Sequence, residues 1–123
     1  MTTTWSAEAY WSKARGYVER AADRDTPEER AFWAALGLEL LLRAVLCETH
    51  PALNADPKDE TSILAACGVH VGIAKTIPIK AVIARLKKIH AEHFTDAVTA
   101  ACDAFVLKRN DELHGDVAAF ASY

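Results

Sequence analysis

Apolar and polar positions alternate along the 123-residue chain at steps of three and four, the period of amphipathic helices rather than of strands. Between residues 6 and 24 the apolar positions are Ala7, Tyr10, Trp11, Ala14, Tyr17, Val18 and Ala21, with Ser6 placed to cap the first turn. The run Asp25 to Glu29 reads as a stop and restart: Thr26 can cap, Pro27 suits the first helical position, and Glu28 and Glu29 complement the positive helix start. A second helix is expected from Pro27 to about Thr49. Its middle, Ala34 to Cys47, is apolar nearly all round, which predicts a central helix with others packed about it.

His50-Pro51 ends that helix, because proline disfavours helical geometry in the residue before it. Residues 50–60, with two prolines, Asn54, Asp56 and Asp59, read as an ordered surface loop. A short helix from Asp59 to Cys67 should stop at Gly68, and Val69, Val71 and Ile73 then alternate in a weak strand-like pattern. Pro78 can open a helix with Ile79, Val82, Ile83, Leu86 and Ile89 on its apolar face. A last long helix is expected from about Ala91 to Lys108, burying Phe94, Val98, Ala101 and Phe105. Four residues beyond Phe105 lies Arg109, which therefore continues the buried stripe and should face a partner helix, a carboxylate or a ligand. These elements predict an all-α fold, an antiparallel bundle of four to five helices in one domain spanning residues 1–123.

Composition adds limits. Half of the residues are hydrophobic and a quarter charged, a globular mixture. The opening from Met1 to Trp5 lacks the basic start and apolar stretch of a secretory signal, and Glu39 and Arg43 interrupt the longest apolar run. A cytoplasmic chain with no membrane span is expected. Cys47, Cys67 and Cys102 form an odd set without a C-x-x-C pair, which fits buried free thiols better than disulfides or a zinc ribbon. The net charge of −3 argues against binding nucleic acid by bulk charge. Yet residues 75–109 carry seven basic side chains (Lys75, Lys80, Arg85, Lys87, Lys88, Lys108, Arg109) against three acidic ones. That surplus is either a phosphate-facing surface or a solvated lysine face.

Candidate chemistry concentrates near the C-terminal end. Glycine-rich phosphate loops, Gly-x-Ser-x-Gly elbows and His-Glu-x-x-His are missing from the sequence. His90 and His93 are three apart, but no surrounding ligand pattern completes a metal site, so no metal and no cofactor are expected. An arginine followed by a histidine after four to six residues occurs three times: Arg43 to His50, Arg85 to His90 and Arg109 to His114. Only Arg109 is followed by a polar residue, Asn110, and only this pair ends at a glycine, Gly115, marking a chain reversal near the imidazole.

The segment Arg109-Asn110-Asp111-Glu112-Leu113-His114-Gly115 resembles the signature of the HEPN superfamily. The stretch Leu38 to Ala44, followed by His50-Pro51-Ala52-Leu53 and Ala55-Asp56-Pro57, is similar to the second helix and following loop of many bacterial HEPN domains. The resemblance implies a HEPN-like bundle that cleaves RNA without a metal and leaves a 2′,3′-cyclic phosphate, with Arg109, Asn110 and His114 as catalytic residues. It also implies a homodimer that brings two Arg–His sets into one cleft. As partners it implies an RNA substrate and a cognate antitoxin or a nucleotidyltransferase-type protein, in toxin–antitoxin or antiphage defence. The residue types suit the chemistry. Histidine can take or give a proton near neutral pH, and arginine offers phosphate a planar fork that keeps its charge.

Alternatives stay open from sequence. Arg109 can instead bond Glu39 or Glu112 as a structural pair, in a non-catalytic HEPN module that binds a nucleotide or a partner protein, or in a plain helical assembly domain. Glu39 and Arg43, four apart on the central helix, read as a salt bridge. The sharper role for Glu39 is to hold the Arg109 fork toward a cleft. Trp5, Trp11, Trp33, Tyr10 and Tyr17 fit core or dimer interface better than base stacking. A HEPN bundle usually has a further helix after the motif. Here the short apolar stretch Asp116 to Tyr123 reads as the stub of a longer protein or as a tail docked on the dimer.

Overall fold

The computed structural model describes residues 5–114, with side chains described through residue 111. These residues form an all-α bundle: α1 (Ala7–Ala22), α2 (Pro27–Thr49), a 3-10 helix (Pro51–Asn54), α3 (Glu60–Ala66), α4 (Ile79–Ile89) and α5 (Asp96–His114). Local chemistry sets most of the boundaries. Ser6 accepts from the Ala9 N–H (3.1 Å) and Thr26 from the Glu29 N–H (3.2 Å), with Pro27 opening α2. His50 closes α2 in an extended conformation, and its Nδ1 accepts from the Ala52 N–H (2.9 Å) to cap the 3-10 helix. Asp59 caps α3, and Gly68 ends it with a φ of 93°, which a Cβ would oppose.

The central place expected for α2 is what the structure has: α1, the 3-10 helix, α4 and α5 all pack on it. Leu42 and Leu46 of α2 meet Val82, Ile83 and Leu86 of α4 and Cys102 and Val106 of α5. Leu46, Val82 and Leu86 are fully buried, each contributing roughly 1.5–3 kcal/mol by leaving water. On the other side α1 approaches α2 closely at Gly37, where a Cβ would sit 3.0 Å from Val18 Cγ2. No helix among the described residues is long and apolar enough to cross a membrane.

The structure departs from the sequence pattern in several places. The last helix starts at Asp96 rather than Ala91, because residues 91–94 turn on the His90 carbonyl and Thr95 Oγ1 accepts from the Val98 N–H (3.4 Å). It also runs past Lys108 to His114, since nothing before Gly115 breaks it. Its buried stripe is consequently Thr99, Cys102 and Val106; Val98 and Ala101 are exposed, and Phe94 and Phe105 half-buried. The surface loop at 50–60 instead buries Asn54 and Ala55, held by a two-residue bridge in which the Ile77 N–H donates to the Asn54 carbonyl (2.9 Å). Val69, Val71 and Ile73 are exposed and form no strand. Cys47 and Cys102 are buried free thiols as expected, but Cys67 is exposed.

Candidate functional site

Arg109 does continue the buried stripe, following Val106 by three residues, and its side chain is only 12% exposed. Two partners hold its guanidinium. Nη1 donates to Glu39 Oε2 on α2, while Nε (3.3 Å) and Nη2 (2.8 Å) both donate to Oδ1 of the neighbouring Asn110. An arginine has five N–H donors. Among the described residues these contacts take three, leaving one on each terminal nitrogen. Asn110, its carbonyl oxygen turned to Arg109, keeps its NH2 group to donate elsewhere.

The other oxygen of Glu39 accepts from Arg43 Nη2 (3.3 Å). Arg43 Nη1 donates to Asn54 Oδ1 (2.7 Å), and Asn54 Nδ2 donates to the Tyr10 hydroxyl (2.7 Å). A continuous polar chain thus runs from α1 through the 3-10 helix and α2 to α5: Tyr10, Asn54, Arg43, Glu39, Arg109, Asn110. Asn54 is fully buried and Arg43 nearly so, so the bond between them is made away from competing water, and the part-buried bonds on either side extend it. Glu39 thus sets one carboxylate between two guanidiniums. Burial pushes the Tyr10 hydroxyl up from its ordinary value, against the Asn54 hydrogen bond and the Arg43 charge, which lower it. Burial likewise pushes the Cys47 thiol up to about 11, with Arg43 opposing.

Asn110 also lines a groove of about 530 Å³ between α4 and α5, floored by Ile83, Val106 and Leu107 and edged by Lys80 and Lys87. Lys87 pairs with Asp96, and Asp103 sits in the same groove, so its charge is mixed rather than uniformly basic.

His114 closes α5, and its side chain lies outside the described residues, as do that of Glu112 and the tail Asp116 to Tyr123. The backbone alone carries information. Residues five apart on a helix sit about 140° apart around the axis and about 7.5 Å along it. A single copy therefore does not set positions 109 and 114 side by side. The other two Arg–His spacings are structural. Arg43 and His50 belong to the polar chain and the 3-10 cap, while Arg85 donates to the Leu53 carbonyl and His90 caps α4.

Sequence reasoning reached Glu39, Arg43, Arg109 and Asn110 but missed Asn54 and Tyr10 as members of the chain. The hint was an asparagine flanked by Leu53 and Ala55, which the fold buries. Tyr17 and Trp33 meet with tilted rings, centroids 5.5 Å apart, and Arg20 lies over both, as packing residues, whereas Trp11 is half exposed. Among the described residues no group of three or more His, Cys, Asp or Glu gathers to hold a metal ion. The chain has no significant match among protein-family models, curated proteins or solved structures.

Proposed function

We propose that this chain is a metal-independent endoribonuclease of the HEPN type, working as a homodimer in whose cleft two Arg109–His114 sets meet. The observation that supports it is the clamp on Arg109: a guanidinium fixed by Glu39 and Asn110 that, among the described residues, keeps an N–H donor on each terminal nitrogen. Such a group is pre-organised for the non-bridging oxygens of a phosphodiester. In the reaction the 2′-oxygen attacks the adjacent phosphorus as the P–O5′ bond breaks, giving a 2′,3′-cyclic phosphate and a 5′-hydroxyl. Arg109 stabilises the charge on the pentacovalent phosphorus and Asn110 donates to the same oxygens. His114 takes the 2′-hydroxyl proton or supplies the one the leaving oxygen needs. The about 140° between positions 109 and 114 on one helix is the reason a second copy is needed. A setting in toxin–antitoxin or antiphage defence, with an antitoxin or nucleotidyltransferase-type partner, follows from the sequence resemblance alone, and a cytoplasmic place from the opening residues and the interrupted apolar run.

A second reading is favoured by the same ion pair. Glu39 offsets part of the Arg109 charge, which suits a non-catalytic module that binds a nucleotide or protein. Arg109→Lys separates the two. A lysine keeps the charge but cannot bond Glu39 and Asn110 while presenting a fork, and Glu39 keeps Arg43, so the fold persists. RNA cleavage in EDTA is expected to fall by about 10²–10³, the scale of losing one oriented charge-stabilising donor. Cleavage by Arg109→Ala at the wild-type rate would remove Arg109 from the mechanism. Intact RNA with folded wild type would leave the binding module as the reading.

A further inference from the structure

Among the described residues, the face formed by α1 and α2 away from the core is left open. On α1 the side chains Glu8, Trp11, Arg15 and Val18 are all exposed and follow one another at steps of three, four and three, so they form one stripe. Trp11 and Val18 are 50% and 55% exposed. Beside them on α2 runs a half-buried stripe at steps of four, three and four: Ala34, Leu38, Leu41 and Val45. Between the two lies an apolar groove of about 340 Å³ that Trp11, Val18, Leu38 and Leu41 line. Two adjacent helices that leave Trp11 and Val18 exposed beside an apolar α2 stripe offer the surface on which a second helix pair packs in a four-helix arrangement.

The charges on this face say what completes it. Arg15 borders the groove. A second hollow at the other side of Trp11 is lined by Glu8 and Glu48. Glu8 and Arg15 are seven residues apart, about 10 Å along the helix, with Trp11 between them. A two-fold axis crossing α1 near Trp11 runs two copies of α1 antiparallel and sets each Arg15 opposite the other copy's Glu8, with Glu48 close by. Trp11 then meets its own mate at the centre. A face whose acidic and basic ends exchange under a two-fold rotation is complementary to itself. We propose that this face is the docking surface for a second copy of the same chain, with Trp11 as its apolar centre and Glu8–Arg15 pairs at its rim. None of these residues belongs to the polar chain at Arg109; the inference shares the homodimer of the nuclease reading and adds the face that forms it, so a dimer that leaves RNA intact would sink that reading alone.

The test is the molar mass of the full chain in solution by light scattering, for wild type, Glu8→Arg and Arg15→Glu. Both positions are exposed, and circular dichroism checks that the variants stay folded. Each single variant sets like charges opposite each other in a symmetric pair, so its dimer is expected to weaken at least tenfold relative to wild type. An equimolar mixture of the two restores opposite charges and is expected to form a dimer again, as a heterodimer. A monomeric wild type would overturn the proposal and leave the face to another partner. Single variants that pair as well as wild type would overturn it by placing the dimer contact elsewhere. Disrupted variants that fail to recombine would overturn the charge-paired geometry.

Discussion

Glu39 accepts hydrogen bonds from two arginines that arrive on different helices, Arg43 from one turn along α2 and Arg109 from α5. Its side chain is 18% exposed and those of Arg43 and Arg109 are 9% and 12% exposed, so little water screens the arrangement. Removing one partner of such a pair leaves the others desolvated and uncompensated. Glu39→Ala is therefore expected to lower unfolding free energy by on the order of 3 kcal/mol in urea denaturation. A loss below about 1 kcal/mol would class the contact with ordinary surface ion pairs. At this scale the sequence was legible where spacing alone decides the contact. Glu39 and Arg43 are four apart on one helix, and Arg109 falls on the inward stripe. Asn54 was not legible, because its burial depends on the bridge between Ala55 and Thr76, a contact between segments twenty residues apart. Tyr10 was missed for the same reason: its partner, Asn54, lies on another element.

Among the elements, boundaries followed capping chemistry wherever a single residue imposes it. Ser6, Thr26-Pro27 and His50 each start or end a helix at the position their side chain or ring dictates, and Gly68 ends one through its positive φ. Gly68 gives a direct check. At its φ of 93° a Cβ crowds the following carbonyl oxygen, so Gly68→Ala should cost about 1–2 kcal/mol, read as a lowered denaturation midpoint. A neutral result would mean the turn after α3 can rearrange freely. The start of α5 was misread because Ala91 to Phe94 is compatible with helix by composition. Thr95-Asp96, a capping residue followed by an acidic first turn, was the signal that decides it. The buried face is Thr99, Cys102 and Val106 rather than Val98 and Ala101, and the extension to His114 leaves Arg109 five residues inside the helix rather than at its end.

For the whole molecule, the bundle presents two features that share no residue. One is the Arg109 chain ending beside the α4–α5 groove; the other is the self-complementary face of α1 and α2. Light scattering reads the second. Because Glu8→Arg and Arg15→Glu keep the Arg109–Asn110–His114 segment intact, cleavage assays on them add the link. If pairing through α1 and α2 also composes the cleft, the monomeric variants lose cleavage and their mixture regains it. The helical class and the central place of α2 were legible from the three-four pattern. The open face was not, because periodicity marks Trp11 and Val18 as apolar without saying whether the chain itself covers them. The central claim, that Arg109 and His114 cut RNA without a metal, is tested most directly by incubating RNA in EDTA with wild type and His114→Ala and identifying the product ends. The account predicts 2′,3′-cyclic phosphate ends from the wild type and none from the variant; folded, dimeric wild type that leaves RNA intact, or a variant that cuts as well as wild type, would contradict it.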